Sequence, residues 1–196
     1  MEMEMKKITL KLIGVGPMLM HADTYVDALN PATKAYKALT QDKVKKGTDA
    51  GLEEIMFAEM LGALYYRDDI GIHIPSANIQ KCFTEAARLR KQGKNIERGV
   101  IVLDDSKLIY TGPQGREELA KSPAFRYGKS IVQGRSRIMR YRPIFNKWSA
   151  DVEIMYQDDI IDRDQIILAA EEAGRLIGIG DWRPRFGRFT VEALEG

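Results

Sequence analysis

The stretch NKWSADVEIMY, residues 146–156, carries the clearest structural signal in the chain. Trp148, Ala150, Val152 and Ile154 fall on one side of an extended backbone, and Ser149, Asp151 and Glu153 fall on the other. That is the period of a half-buried strand. Downstream, Asp162 and Gln165 stand at capping-box spacing before a helix over 163–177, with Ile166, Ala170, Ala173 and Ile177 on one stripe. Gly178 is its natural C-cap. The chain then closes on RFTVEAL, a short strand with Phe189, Val191 and Ala193 on one side.

Upstream the same reading continues. ITLKLIGV alternates Ile8, Leu10 and Leu12 with Thr9 and Lys11, which predicts a first strand. Residues 21–51 turn polar and lysine-rich, with little apolar periodicity, and read as a flexible inserted arm. A helix is predicted from about Leu52 to Tyr66, capped by Asp49. IHIPSANIQKCFTEAARLRKQG reads as a strand end and a helix capped by Ser76 and ended by Gly93. Its apolar stripe is Ile79, Cys82, Phe83, Ala86 and Leu89. GVIVLDDSKLIYTG reads as a hairpin with strands Val100–Leu103 and Leu108–Tyr110, and a basic loop region covers about 112–147.

Local hairpins with two helices on one sheet face fit an α+β fold, a modified ferredoxin-like or RRM-type antiparallel sheet with an inserted arm, better than a doubly wound parallel sheet. The 196 residues are read as one domain. The single cysteine, Cys82, excludes an internal disulfide and a cysteine-cluster zinc site, and two histidines are too few for a multi-histidine metal centre. No metal or cofactor is expected. No apolar run approaches the roughly 20 residues of a membrane span. The opening MEMEMKK is no signal peptide, so a cytoplasmic location without membrane contact is expected.

A formal charge of +2 is modest, so any nucleic-acid surface must be a local patch. Between Phe125 and Lys147 the chain holds seven cations, Arg126, Lys129, Arg135, Arg137, Arg140, Arg142 and Lys147, with no carboxylate. Phe125, Tyr127, Tyr141 and Phe145 are interleaved. Cations and rings together suit single strands, because phosphates need positive charge and unpaired bases stack on aromatic faces. Residues 151–172 run the other way, with eight carboxylates against Arg163 alone. Such polarity suits head-to-tail self-association.

Three pieces in order, GVGPMLMHAD (14–23), HIPSANIQKCFTEAAR (73–88) and IGIGDWRPRFGRF (177–189), resemble the RAMP superfamily, which includes the backbone subunits of CRISPR RNA-guided effector complexes. A free-standing viral relative on the same fold would show the same pieces. Ser76 and Ala77 stand where that family commonly has glycine and serine, and the late loop is not a plain run of glycines. The resemblance implies a modified RRM or ferredoxin-like fold whose copies stack along RNA. It places Gly178, Gly180, Arg183, Arg185 and Gly187 near the bound strand. With the basic faces and rings, the candidate contacts are Lys81, Arg88, Arg126, Lys129, Arg135, Arg137, Arg140, Tyr141, Arg142 and Trp182. Trp182 and Phe186 could equally anchor their own turn in the core.

The leading expectation is a non-enzymatic protein that binds single-stranded RNA or DNA and forms a homo-oligomer or filament on it. An alternative within the same superfamily is a metal-independent endoribonuclease using His21 or Asp23, in which a ribose 2′-hydroxyl attacks the adjacent phosphate. A second alternative is a protein-interaction subunit that binds no nucleic acid. His73 reads as a strand residue and Cys82 as packing.

Overall fold

The computed structural model describes residues 5–134 and 136–194. In chain order these form β1 (Lys6–Gly14), β2 (Met18–Leu19), α1 (Pro31–Gln41), α2 (Lys43–Lys46), α3 (Asp49–Ala63), β3 (Tyr66–Arg67), β4 (Gly71–Ile74), α4 (Ser76–Arg88), α5 (Gly93–Gly99) and β5 (Val100–Val102). There follow β6 (Ser106–Lys107), α6 (Arg116–Lys121), a 3-10 turn (Pro123–Phe125), β7 (Arg126–Gln133), β8 (Ser136–Phe145), β9 (Ser149–Tyr156), α7 (Arg163–Glu172), a π-helical turn (Ala173–Ile177) and β10 (Phe189–Leu194). Helices combined with antiparallel sheet make the fold α+β. The chain divides into two compact units, Met1–Met18 with Arg67–Thr111 and Phe145–Gly196, and Leu19–Tyr66 with Gly112–Ile144.

The first unit is built on the two alternating strands. β1 and β9 pair antiparallel with Ile8 opposite Ile154, Leu10 opposite Val152 and Leu12 opposite Ala150. All six side chains are buried, because matching period-2 patterns in this register put both apolar sets on one face. β10 and β5 complete a four-stranded sheet in the order β10-β1-β9-β5, every neighbour antiparallel. α4 and α7 pack side by side and against this sheet. Ile79, Cys82, Phe83 and Ala86 supply the buried stripe of α4, and Ile166, Ala169 and Ala170 that of α7. Asp162 caps α7 as its spacing implied, accepting from the Gln165 N–H at 2.8 Å.

Several local expectations are corrected here. α4 ends at Arg88, and Gly93 opens α5 instead, so Leu89 lies outside the stripe and is 60% exposed. The hairpin over 100–110 does not form. β5 pairs with β9, β6 pairs with β4, and Ile109 bridges to Ser149. The DDS turn between them instead supplies the missing cap of α4. Asp105 Oδ1 accepts from the Ser76 N–H at 2.9 Å, while Pro75 stands at the N-cap without a side-chain capping bond and Ser76 is the first helical residue rather than the cap. Asp105 Oδ2 accepts from Arg67 at 3.0 Å, and His73 Nε2 lies 3.5 Å from it.

Burial works against ionising Asp105, but the Ser76 N–H, the Arg67 guanidinium and the His73 ring outweigh it and hold the carboxyl below its usual range. A carboxyl depressed on folding contributes stability above its unfolded value of about 3.9 and loses it as the pH falls through the folded value. Asp105→Ala is expected to lower stability by about 1–2 kcal/mol at pH 7. Urea midpoints measured against pH should show the difference from wild type shrinking below about pH 4.

In the second unit, the segment expected to be an unstructured arm forms α1 and α2. Their caps are legible once known. Asn30 Oδ1 accepts from the Ala32 N–H at 2.9 Å with Pro31 in the first turn, and Asp42 Oδ1 accepts from Val44 N–H at 2.8 Å and Lys45 N–H at 3.1 Å. Ala, Lys and Leu between the caps favour helix even without an apolar stripe. α3 starts earlier than expected and is capped by Thr48, whose Oγ1 accepts from the Gly51 N–H at 3.2 Å, so Asp49 is its first residue rather than its cap. The basic loop region is also more regular than its composition suggested. β7 and β8 form a hairpin in register from Arg126 opposite Pro143 to Gln133 opposite Ser136, with Gly134 at φ 62° in the turn. β2, β8 and β7 make a three-stranded sheet.

Candidate nucleic-acid interface

Residues directly opposite in an antiparallel pair share a face. The pairs Tyr127–Arg142, Lys129–Arg140 and Ile131–Ile138 therefore occupy one face of the β7–β8 hairpin, and Gly128–Tyr141, Ser130–Met139 and Val132–Arg137 the other. The run of cations is thus split by the strand period. Lys129 and Arg137 are exposed, one on each face, and Tyr127, Tyr141 and Arg142 are half-buried. Arg142 Nη1 donates to the Tyr141 carbonyl at 2.9 Å, and Arg126 Nη2 donates to the Lys121 carbonyl at 3.3 Å. Arg135 lies outside the described residues.

Arg140 is held differently. It donates through Nη1 to Glu59 Oε1 and lies 3.0 Å from the Tyr36 hydroxyl, which itself donates to Glu59 at 2.7 Å. The other carboxylate oxygen, Oε2, accepts from the Tyr141 N–H at 3.0 Å. Glu59 is only 6% exposed, so α3 places a buried carboxylate with three donors under β8. Burial opposes the charge on Arg140, but the hydrogen bond and charge of Glu59 raise its basicity above the ordinary value. Burial first, and Glu59 second, push the Tyr36 hydroxyl up to about 12. Sequence reasoning missed Glu59, although a carboxylate between Ile55 and Met60 on an apolar helix face was the available signal.

This bridge borders a cleft of about 520 Å³ within the second unit. His21, Asp23, Tyr25, Tyr36, Arg140 and Arg142 line it. Tyr25 and Tyr36 stack face to face, 4.4 Å between centroids and 2° from parallel. The Tyr25 hydroxyl donates to the Ala58 carbonyl at 2.6 Å, and burial, then Glu59, raises its pKa. His21 and Asp23 are exposed at the rim, and the His21 carbonyl accepts from Tyr65 at 3.0 Å.

The remaining candidates belong to the first unit. Lys81 and Arg88 are exposed on the outer side of α4, where Arg88 pairs with Glu97 at 2.5 Å. Arg183 reaches Glu85 of the same helix at 3.1 Å, which brings the late loop onto α4. In that loop Gly178 and Gly187 are buried. The Ile179 N–H donates to the Gly187 carbonyl at 2.9 Å, and the Gly187 N–H donates to the Pro17 carbonyl at 2.8 Å. Through these bonds Gly187 closes the loop on itself and on the segment after β1, while the Gly178 N–H donates to the Ala173 carbonyl at 2.8 Å. Gly180 and Trp182 are half-buried, Trp182 lies 6.3 Å from Phe186 between ring centroids, and Phe186 is buried. Arg185 is exposed, its guanidinium 5.9 Å from the Phe186 centroid.

His73 is buried in β4 with Nδ1 3.1 Å from the Gly71 carbonyl oxygen, as a strand residue. Cys82 packs in the core, and burial pushes its thiol up to about 12, which leaves it unreactive. Among the described residues no cluster of three or more His, Cys, Asp or Glu side chains could hold a metal ion, and no helix is long and apolar enough to cross a membrane. No known protein-family model matches the chain, and no curated protein matches it.

Proposed function

We propose that this protein binds single-stranded nucleic acid and self-assembles along it on a RAMP-like frame. The observation that carries the reading is the β7–β8 hairpin, which presents Lys129 and Arg137 to solvent beside Tyr127 and Tyr141 in a stretch without a carboxylate. Phosphate neutralisation and ring stacking then act from one hairpin, with Lys129 and Tyr127 on one face and Arg137 and Tyr141 on the other. The frame of the first unit supports the family reading. Ranked in chain order, the strands β1, β5, β9 and β10 lie across the sheet in the order fourth, first, third, second, with α4 following β1 and preceding β5 in the chain and α7 falling between β9 and β10. That order supports reading the frame as a split βαβ, ferredoxin-like or RRM-type sheet. Self-assembly is supported by the acidic residues of 151–172, although Glu153, Asp158 and Glu172 are engaged by Lys7, Lys6 and Arg90.

The test is a fluorescence-anisotropy titration against matched single-stranded RNA, single-stranded DNA and duplex at rising salt. The reading expects tight, salt-sensitive and cooperative binding to a single strand. Lys129→Ala with Arg137→Ala is expected to weaken binding at fixed salt and to flatten the salt slope by about 0.7 for each phosphate that is no longer neutralised. Equal affinity of the double variant at every salt concentration refutes a role for the hairpin. Absence of binding to all three ligands favours a protein-interaction subunit.

One observation favours a second reading. His21 and Asp23 share the cleft with Arg142, so a proton acceptor and a cation for a developing phosphorane charge lie together. Metal-independent cleavage of RNA, but not DNA, would follow, and full-length RNA after prolonged incubation with the protein removes this alternative.

A further inference from the structure

We propose that the cleft of the second unit is a nucleotide socket, which takes one base of the bound strand onto the Tyr25–Tyr36 ring pair and its phosphate onto Arg142. The inference rests on the single-strand reading above and extends it from surface contact to insertion.

Four features support it. The cleft measures about 520 Å³, within the range of roughly 300–1,000 Å³ that holds small organic ligands and large enough for one nucleotide. Its aromatic wall is already organised. Tyr25 is fixed by its bond to the Ala58 carbonyl and Tyr36 by its bond to Glu59, and the two rings lie parallel. A platform held in this way needs no ordering when a base arrives. The charge arrangement suits a phosphate at one place. Glu59 absorbs the charge of Arg140, so the carboxylate does not repel the ligand and Arg142 supplies the positive side. Finally, Asp23 at the rim offers acceptors to the N–H groups of a base edge.

A strand anchored in this way depends on stacking as well as on phosphate charge, and the two respond differently to salt. Stacking of one base on an aromatic side chain is worth about five-fold to a hundred-fold in affinity. Removing the ring should lower affinity without changing the salt slope, whereas removing a cation that neutralises a phosphate changes both.

The experiment uses a single-stranded oligonucleotide carrying 5-iodouridine, bound to the full-length wild-type protein, cross-linked by ultraviolet light and mapped by mass spectrometry. Adducts on Tyr25 or Tyr36 are expected. In parallel, Tyr25→Leu is expected to bind about ten-fold more weakly with an unchanged salt slope, its fold checked by circular dichroism. If that variant does not fold, the wild-type adduct map decides alone. Tight binding with adducts confined to Tyr127, Tyr141 or other residues outside the cleft overturns the socket and leaves the single-strand reading standing. Failure of the wild-type protein to bind any strand overturns both.

Discussion

Gly187→Ala is expected to lower the stability of the protein by about 3–5 kcal/mol, read as a shift in the urea midpoint of the first unit. Gly187 has φ 75°, where a side chain is itself strained, and a Cβ there would stand 1.6 Å from the Ile179 carbonyl oxygen. Relaxing that clash means moving backbone, since Ile179 donates to the Gly187 carbonyl and Gly187 donates to Pro17. The expected loss combines left-handed strain of about 1–3 kcal/mol with about 1 kcal/mol for each weakened bond. Gly71→Ala is the control. Its φ is 80°, but nothing lies within 4 Å of the added carbon, so only the strain remains. Equal midpoints for the two variants would show that the late loop tolerates opening.

Glu59→Ala is expected to cost about 3–5 kcal/mol, because it leaves the partly buried Arg140, the Tyr36 hydroxyl and the Tyr141 N–H without their acceptor. Hydrogen exchange should report the loss first in α3 and β8, the two elements the carboxylate joins. Glu59→Gln keeps an oxygen for one donor and should lose less. Replacing both partners, Glu59→Leu with Arg140→Leu, should recover much of the stability, since apolar residues can substitute for a buried ion pair. A double-mutant cycle with no coupling would show that the bridge contributes nothing to the second unit.

GIGDWRPRFGRF mixes glycine, arginine and rings in a way that invites a ligand. In the fold, Gly187 closes the loop, Gly178 is buried, Arg183 pairs with Glu85, and Phe186 is buried, while Arg185 stays exposed. In residues 125–147 the cations were legible, but their distribution was not. A hairpin alternates faces at every residue, so Lys129 and Arg137 diverge, and Arg140 meets a carboxylate 81 positions earlier in the chain.

Periodicity and capping are local properties, and the chain itself determined what depends on them: the alternating strands β1 and β9, the Asp162 cap of α7, the apolar stripe of α4 and the α+β class. Only the tertiary structure decided what depends on meetings between distant residues. Asp105 caps a helix that begins 29 residues before it, β5 pairs with β9 rather than with its sequence neighbour, and Glu59 turns an arginine of a basic ribbon into a structural tie. A residue's type states which bonds it can make. Which partner it finds is set by the folded backbone, because burial makes an unpaired charge or amide costly and so selects the one arrangement that satisfies it.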